Sequence, residues 1–481
     1  MRMRHSALRF GALSCALVLA GCGSTVQVRS VEGITSQGGQ LSAPAGSATS
    51  RDPLPGVVPA AGTGPAPAGM TLPSPSQRPS TAAPAASTPQ LDSSPVRIGF
   101  VYATNADALR SAGIDGVTTG DGRAQGAAIT DWVNSHGGLG GRKLEPYYYG
   151  MDVARSAANS QGEEEAACTA MTQDDHVFAV VAYSNPSAAF DLCLARAHTI
   201  LVDSDAFINA PLLRQLRGFA YLPSDFLMER ANSTYVLGLI RAGFLTPKNK
   251  VAVVYSESRT ESKQILDGTI KPLLREYGIP LAVTYGVQGT DYSGAVLAAQ
   301  TAGVDRVLHI ALSPLFFMEA AESQQYHPRY GVNSQWLPGA LLQTAAPRAQ
   351  LAGSVGVGWL PSGDVDPGHN PGPVSRNETI CHQILRAAGE DNAADPTARV
   401  FALQTCDHVL FLQAAMARAP RATPEALAAQ VATLGNGFVS ASTFHASFVG
   451  GRPDGATAYR IFSYQSGCSC YVYSGPLHPT A

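Results

Sequence analysis

The sequence has few charged residues and only a small excess of negative charge. Asp, Glu, Lys and Arg make up 14% of its 481 residues, and the formal net charge is -3. A nucleic-acid-binding domain normally carries a basic face that attracts phosphate groups. The composition offers no such field, so we expect a protein that does not bind nucleic acid.

Short motifs of common catalytic sites are also missing. The sequence contains no G-x-S-x-G nucleophile elbow, no H-E-x-x-H zinc pair and no catalytic-cysteine signature. The glycine run at 137–141 follows a predicted helix and lacks the G-x-x-x-x-G-K-[ST] spacing, whereas a phosphate-binding loop precedes its helix. We therefore expect a protein that is not an enzyme and has no cofactor.

Long apolar runs are absent apart from one at the amino terminus, which is too short to span a membrane. Arg2, Arg4 and Arg9 accompany the run Phe10–Leu19, whereas a spanning helix needs about 20 apolar residues. The wording L-A-G-C that ends at Cys22 resembles the lipobox of bacterial lipoproteins. That resemblance implies a signal peptide over residues 1–21 and a lipid such as palmitate on Cys22, which would anchor the chain outside the cell membrane. The alternative is an ordinary cleaved signal peptide.

The next segment is almost without aromatic residues. Pro, Ala, Ser, Gly and Thr dominate residues 23–95. Such a composition cannot bury enough apolar surface to offset the entropy lost on ordering. We predict that residues 22–94 form a disordered tether between the lipid and a folded part.

The folded part opens with a β-α-β pattern. Val96–Ala103 is a short apolar run rich in β-branched and aromatic residues, which predicts a buried strand. Residues 121–134 have apolar residues at helical spacing behind an Asp121 cap. The glycines at 137–141 end that helix, and Lys143–Tyr149 is predicted to be the next strand.

The wording of this unit resembles a known family. Residues 126–134 read G-A-A-I-T-D-W-V-N and residues 137–144 read G-G-L-G-G-R-K-L. The helix, the glycine-rich turn that ends it and the spacing between them resemble the start of the type I periplasmic solute-binding proteins. The best-known members of that family are the branched-chain amino-acid binding proteins of ABC importers. The resemblance implies an α/β fold of two lobes, each a mainly parallel sheet with helices on both faces, joined by three crossovers.

Strand and helix patterns continue to alternate along the chain, as expected for parallel sheets covered by helices. We place the crossovers near Pro223, Pro361 and Gly437. The first lobe then comprises residues 95–222 plus 361–437, and the second comprises residues 223–360 plus 438–481. Within the second lobe we predict strands near 442–449 and 458–464.

Six cysteines follow Cys22, an even number that favours disulfides outside the cytoplasm. Cys168 and Cys193 lie on successive predicted helices, as do Cys381 and Cys406, and both separations are 25 residues. We predict these two pairs. The remaining two, Cys468 and Cys470, either pair with each other or stay as thiols.

A metal site is an alternative for one group of these residues. Cys381-His382 and Cys406-Asp407-His408 offer two thiolates and two imidazoles. Neighbouring residues on a helix point in different directions, and the C-x2-4-C spacing of structural zinc sites is missing. We therefore predict no metal there.

Polar residues that follow the predicted strands are the candidates for ligand contact. Ligands of open α/β sheets bind beyond the carboxyl ends of strands. The same residues are common in helix caps and turns. The candidates are Tyr183, Ser184, Asn185, Ser187, Asp203, Ser204, Asp205, Phe207, Tyr255, Ser256 and Ser313.

The family's amino-acid-binding pattern is not reproduced. Amino-acid binders usually carry Ser/Ala-Thr after the fourth strand and Tyr-Gly after the first strand of the second lobe. The corresponding positions here read D-A-F at 205–207 and R-T-E at 259–261. Asp203 and Asp205 would repel a carboxylate unless an arginine compensates. A polyol, a peptide fragment, an aromatic metabolite and a cationic solute all remain open.

The leading hypothesis is a lipid-anchored, extracytoplasmic solute-binding protein. Its two lobes would close around a small molecule, which it would deliver to an ABC importer through contact with the permease. The alternative is a ligand-sensing or partner-binding envelope lipoprotein that uses the same fold without transport.

Overall fold

The computed structural model describes seven ranges of the chain: residues 93–107, 118–182, 187–204, 207–344, 346–369, 372–391 and 395–481. The predicted signal peptide, Cys22 and most of the predicted tether lie outside these residues. Two β-sheets, each with its own helices, make up the described part. We call them the first and second lobes.

The first lobe is built on a five-stranded sheet of order β2-β1-β3-β4-β5. All of its neighbouring strands run parallel, which buries the sheet between layers of helices. The strands are β1 Val96–Thr104, β2 Leu144–Asp152, β3 Ala179–Ala182, β4 Ile200–Val202 and β5 Ala220–Tyr221.

The predicted β-α-β unit is present at the start of this sheet. Its helix begins where the Asp121 carboxylate accepts hydrogen bonds from the backbone N–H groups of Arg123 and Ala124, which caps the first turn. Ile129 and Val133 are fully buried against the sheet. The helices between these strands are α1 Gly122–Ser135, α2 Val153–Thr169, α3 Ala188–Arg196 and α4 Ala210–Leu216.

The second lobe is built on a seven-stranded mixed sheet of order β12-β11-β10-β9-β8-β6-β7. Strands β6 to β10 are parallel, while β11 and β12 add an antiparallel hairpin at one edge. The strands are β6 Val251–Ser256, β7 Leu281–Val287, β8 Arg306–Ile310, β9 Arg329–Asn333, β10 Val355–Gly358, β11 Ala458–Gln465 and β12 Cys470–Pro479.

Eight helical segments accompany the parallel part of this sheet. Two of them, Thr260–Ile265 and Lys271–Glu276, are joined by a wider helical turn at Leu266–Ile270. The segments are α5 Met228–Arg241, α6 Thr260–Ile265, α7 Lys271–Glu276, α8 Ser293–Thr301, α9 Leu315–Ser323, α10 Pro338–Leu341, α11 Arg348–Leu351 and α12 Pro361–Asp364.

Three later helices return to the first lobe: α13 Arg376–Ala387, α14 Pro396–Met416 and α15 Pro424–Leu434. Their buried side chains join the core beneath β1, β3 and β4. The chain therefore passes between the lobes three times, from β5 to α5, from β10 to α13 and from α15 to β11. We call these passages the first, second and third connections.

The predicted strand near 442–449 is wrong. This segment contains only one bridge pair, between Ala446 and Ala456. Phe448 within the segment and Phe438 before it are buried in the core of the first lobe rather than paired in the second sheet. Burial of the side chains, not strand pairing, explains the apolar pattern that the sequence shows there.

Both predicted disulfides are present. Cys168–Cys193 joins α2 to α3, and Cys381–Cys406 joins α13 to α14. Cys468 and Cys470, for which two states remained open, are bonded to each other. Among the helices in the described ranges, none has the length and apolarity needed to cross a membrane.

Candidate functional site

Residues that follow strands of the first lobe meet residues that follow strands of the second. Phe207, after β4, has its ring centroid 6.2 Å from that of Trp336, after β9. The guanidinium carbon of Arg259, after β6, lies 4.2 Å from the Phe207 centroid. Ligands of α/β sheets bind beyond such strand ends. We therefore place the candidate site between them and call this space the cleft.

A partly buried hydrogen bond also crosses the cleft. The Asn209 side-chain amide donates to Oε1 of Gln264 on α6 at 2.6 Å. The side-chain oxygen Oδ1 of Asn209 accepts from the backbone N–H of Leu212 at 2.9 Å and so caps α4. Asn209 is 2% exposed. The Asn209 side chain therefore caps a helix of the first lobe and also bonds to a helix of the second lobe.

Ser204 is held by a polar cluster behind the cleft. Its hydroxyl oxygen lies 2.5 Å from His408 Nε2 on α14 and 3.1 Å from the hydroxyl oxygen of Ser224 in the first connection. Burial lowers the pKa of His408 to about 3, so the imidazole is neutral. The preceding residue, Asp203, is 1% exposed and accepts from the backbone N–H of Ser204 at 2.7 Å. This cluster ties the end of β4 to a helix and a connection.

Two of the predicted ligand residues have local hydrogen-bond partners beside helix starts. The Ser187 backbone N–H donates to the Glu164 carboxylate at 3.1 Å, and the Ser187 hydroxyl also donates to it. The Ser313 hydroxyl oxygen accepts from the backbone N–H of Leu315 at 3.3 Å. The structure thus shows local roles for both serines at the starts of α3 and α9.

Some of the other predicted ligand residues lie in the described ranges and some lie outside them. Ser256 is 4% exposed and its hydroxyl oxygen lies 2.8 Å from that of Ser258, while Tyr255 is half-buried against the core of the second lobe. Phe207 alone of the described candidates contacts the opposite lobe through its ring. Tyr183, Ser184, Asn185 and Asp205 lie outside the described residues. Ligand contact by any of the candidates stays a prediction.

Residues that the sequence analysis did not propose complete the two walls of the cleft. In the sequence, Arg259 stands out only as a departure from the family pattern. Trp336 follows β9, a strand that the sequence pattern did not reveal. Gln264 lies inside a helix and is exposed, so nothing in a single sequence marks it as a residue that bonds to the first lobe.

Buried carboxyl groups lie at the other two connections. Asp364, in the second, accepts from the hydroxyls of Ser334 and Tyr473, and burial raises its pKa to about 7. Asp407 on α14 accepts from the Ser440 hydroxyl at 2.5 Å and from the backbone N–H of Ala441 at 2.6 Å, and burial raises its pKa to about 7 as well. All three connections are therefore held by buried polar groups.

A second concave surface lies beside the second connection, with a volume of about 450 Å³. Its charged side chains are already paired: Asp391 lies 2.9 Å from both His382 and Arg386. Arg399 donates to the backbone carbonyl of Ser362 at 2.9 Å. Because these charges satisfy one another, we do not regard this cavity as the main site.

Comparison by sequence finds no relative. No protein-family model matches this chain, and no curated protein sequence matches it either.

Comparison of structures does find similar folds. A leucine-binding protein from Thermotoga maritima has a TM-score of 0.57 at 13% identity, covering 79% of this chain and 98% of that one. An ABC-transporter solute-binding protein from R. palustris in complex with 4-hydroxybenzoate gives 0.58 at 13% identity, covering 80% and 97%. A fatty-acid ABC-transporter substrate-binding protein from Thermomonospora curvata gives 0.58 at 15% identity, covering 81% and 95%. These identities establish similarity of fold.

Proposed function

Since the chain has the two-lobe type I periplasmic-binding-protein fold, we propose that it is a lipid-anchored, extracytoplasmic solute-binding protein. Its lobes would close around a small molecule in the cleft and deliver that molecule to an ABC importer. The observation that carries the proposal is the meeting of Phe207 with Arg259 and Trp336 between the lobes. Solute-binding structures that share the fold support it.

The walls of the cleft suggest the kind of solute. Phe207 and Trp336 supply aromatic surface, which suits an apolar or planar body. Arg259 supplies hydrogen-bond donors in a rigid fork that matches a carboxylate. Among the alternatives that the sequence left open, an aromatic metabolite with an acidic group fits these walls best. The 4-hydroxybenzoate bound by one of the similar structures belongs to that chemical class.

Closure would bury such a solute between two preformed surfaces. The three connections act as the hinge, and a few residues in them would absorb the change in backbone angles. The Asn209–Gln264 hydrogen bond would form only in the closed arrangement, since its partners belong to different lobes. Ligand binding and lobe contact would therefore stabilise each other.

The anchor is a separate part of the proposal. The lipobox-like wording at Cys22 supports a lipid, and the composition of residues 22–94 supports a tether of variable reach. We expect the Cys22→Ala variant to be released from the membrane fraction of cells, and the native chain to be retained there. Equal retention of both chains would contradict lipid anchoring at this residue.

A thermal-shift screen of the purified chain tests the binding proposal. The panel comprises aromatic acids, amino acids, sugars, polyols, polyamines and nucleosides. A ligand at a hundred times its dissociation constant stabilises the folded state by about 2.7 kcal/mol, which raises the melting temperature by a few degrees. We expect a shift with an aromatic acid and none with a polyamine.

Two variants localise the binding. Arg259→Ala removes the cleft cation, and Arg275→Ala removes an exposed cation of the same lobe as a matched control. We expect the first variant to weaken the hit at least tenfold, because a charged hydrogen bond to the ligand is lost. The second should bind as the native chain does. Equal affinities in all three chains would contradict binding in the cleft.

The alternative is a ligand-sensing or partner-binding envelope lipoprotein. Val374 and Leu477 favour it, because they are 63% and 49% exposed and line one surface cavity. Uptake of the identified solute by cells distinguishes the two functions. Loss of uptake after deletion of the gene supports delivery to an importer. Unchanged uptake together with retained binding supports the sensing function.

A further inference from the structure

The hairpin between β11 and β12 ends in two cysteines that are separated by a single residue. Cys468 lies in the turn and is exposed, whereas Cys470, the first residue of β12, is 3% exposed. Ser469 between them has a positive φ of 53°. The two cysteines form a disulfide with a sequence separation of 2. This turn therefore presents one sulfur to solvent and one to the protein.

A histidine from a distant part of the sequence lies against this turn. The helical turn Pro367–His369 belongs to the second connection and packs beside β12. The ligand atoms of His369, Cys468 and Cys470 all lie within 4.8 Å of one another. His369 Nδ1 is buried and has no hydrogen-bond partner within the part of the chain that the structure describes.

The position of this disulfide argues against a purely structural role. A cross-link stabilises a fold by restricting the unfolded chain, and a ring closed over so few residues restricts it least. The other two disulfides close loops with separations of 25, and Cys168, Cys381 and Cys406 in them are fully buried. Cys193 is partly exposed, whereas Cys468 is exposed and is the cysteine that a reductant in solution reaches most easily.

The three side chains form a ligand set that suits a thiophilic ion. Two thiolates and an imidazole are donors that zinc prefers, and a site with three protein ligands keeps a fourth position for water. The exposure of Cys468 leaves that fourth position open to solvent. The other pair raised by the sequence, Cys381 and Cys406, differs in access, because both of its sulfurs belong to fully buried residues that a reductant in solution does not reach.

We propose that the Cys468–Cys470 disulfide is reducible in the folded protein and that the reduced pair binds Zn²⁺ together with His369. A dithiol supplies two electrons and two protons, the S–S bond breaks into two thiols, and the reductant becomes a cyclic disulfide. Zinc then displaces the two thiol protons and is held by both thiolates and the imidazole. In the reverse step a small disulfide such as oxidised dithiothreitol takes up two electrons and two protons to become a dithiol, the Cys468–Cys470 bond re-forms, and the loss of two of the three ligands releases the ion.

Reduction is tested first, on the full chain under native conditions. The chain is treated with a limited amount of dithiothreitol, the free thiols are alkylated, and the modified residues are identified by peptide mapping. We expect two modified residues, Cys468 and Cys470. An intact Cys468–Cys470 bond in chains where another disulfide has opened would overturn the proposal.

Zinc binding to the reduced chain is tested next, by competition with a chromophoric chelator. We expect one Zn²⁺ per chain, and none at this site in the Cys468→Ser/Cys470→Ser variant. His369→Ala should weaken zinc binding about tenfold or more. His478→Ala, which changes another histidine near the same strand, is the matched control and should bind as the native chain does.

Cobalt gives a direct view of the ligands. Co²⁺ bound by thiolates has a charge-transfer band that the double-serine variant cannot produce. We expect this band in the reduced native chain and its loss on oxidation. Equal zinc affinities in the His369→Ala and native chains, or equal zinc content in the native and double-serine chains, would overturn the three-ligand site.

Discussion

The two lobes share a parallel-sheet plan but are stabilised by different means. In the first lobe, Cys168–Cys193 and Cys381–Cys406 each join two helices. The second lobe, where described, contains only the short Cys468–Cys470 bond, and its core holds more aromatic rings than the core of the first lobe. A long cross-link acts by restricting the unfolded chain, whereas aromatic packing acts in the folded state. Two lobes of similar fold in one chain can therefore gain stability in different ways, one through restriction of the unfolded chain and the other through packing in the folded state.

Removal of one aromatic ring from the core of the second lobe should produce the largest difference in stability between the lobes. Phe462 is fully buried, and its ring lies edge-on to those of Tyr471 and Tyr473 at 5.3 and 5.7 Å. Phe462→Ala leaves a cavity and should cost about 3 to 5 kcal/mol of the free energy of unfolding. Hydrogen exchange read by mass spectrometry should show faster exchange in β10, β11 and β12 only.

The milder Phe462→Leu variant serves as the control for this prediction, because it keeps an apolar group in the same place. It should cost less than the alanine variant and leave the pattern across the lobes unchanged. Faster exchange throughout the first lobe in Phe462→Ala would mean that the lobes unfold as one unit.

Removal of a long disulfide comes next in size and acts on the other lobe. Cys381→Ala/Cys406→Ala should lower the free energy of unfolding by about 3 to 4 kcal/mol, because a loop of this length restricts the unfolded chain. Cys468→Ser/Cys470→Ser should cost about 1.5 kcal/mol, since its ring is much shorter. Urea unfolding measures both. Equal costs would show that loop length does not explain the difference between the lobes.

Acidity should reveal a feature in which the lobes are alike. Each lobe buries a histidine whose pKa burial lowers to about 3, His309 or His408. Each also has a buried carboxyl group whose pKa burial raises to about 7, Asp364 or Asp407. Between pH 3.8 and 6.5 the histidine excludes a proton that the unfolded chain binds, so its contribution to stability rises with pH. The carboxyl group keeps a proton that the unfolded chain releases, so its contribution falls with pH.

The histidine and the carboxyl group make the free energy of unfolding change with pH in opposite directions. Variants that remove one of the two groups should show the effect of the other. Asp407→Asn leaves the His408 contribution, so the first lobe should lose stability as the pH falls from 6.5 towards 4, by up to about 1.4 kcal/mol per pH unit. His408→Gln leaves the Asp407 contribution, so stability should fall as the pH rises through the same window. Urea unfolding at a series of pH values measures both slopes. If the free energy of unfolding changed with pH in the same direction in both variants, the predicted opposite effects of His408 and Asp407 would be wrong.

The smallest expected effect concerns the contact that joins the lobes. Gln264→Ala removes the acceptor of the Asn209 hydrogen bond, which is worth about 0.5 to 1.5 kcal/mol. Hydrogen exchange around residues 207–212 should quicken by a factor of about 2 to 10. Gln300→Ala, an exposed glutamine of the same lobe, is the matched control. Equal exchange in both variants would mean that this bond contributes nothing to lobe contact.

Local patterns were enough to predict much of the fold. The β-α-β start, its Asp121 cap and both long disulfide pairings depend on residues close in sequence or on successive helices, and the structure confirms them. Strand β10 was missed because its sequence is V-G-V-G, and glycine is unfavourable in strands. A Cβ at Gly356 would overlap the ring of Phe462, so the glycine is required by a partner about a hundred residues away.

The candidate site was harder to predict for a related reason. Sequence reasoning could locate strand ends, but Ser187 and Ser313 show that the same residue types make local hydrogen bonds there. Arg259 and Trp336 reach the cleft only because two sheets meet, and that meeting depends on the packing of the whole chain. A pattern that reports local structure carries no information about which side chains face each other across the lobes.

The place of α13–α15 in the chain has a consequence for biosynthesis. Strand β10 pairs with β11, yet the three helices of the first lobe lie between them in sequence, which separates Gly358 from its partner Arg460 by about a hundred residues. At about 5 to 20 residues per second, a ribosome needs roughly 5 to 20 s to make that stretch. During this time β10 remains an open edge of the sheet, which can pair with other chains. A chaperone that covers exposed strands would act on this protein during that interval.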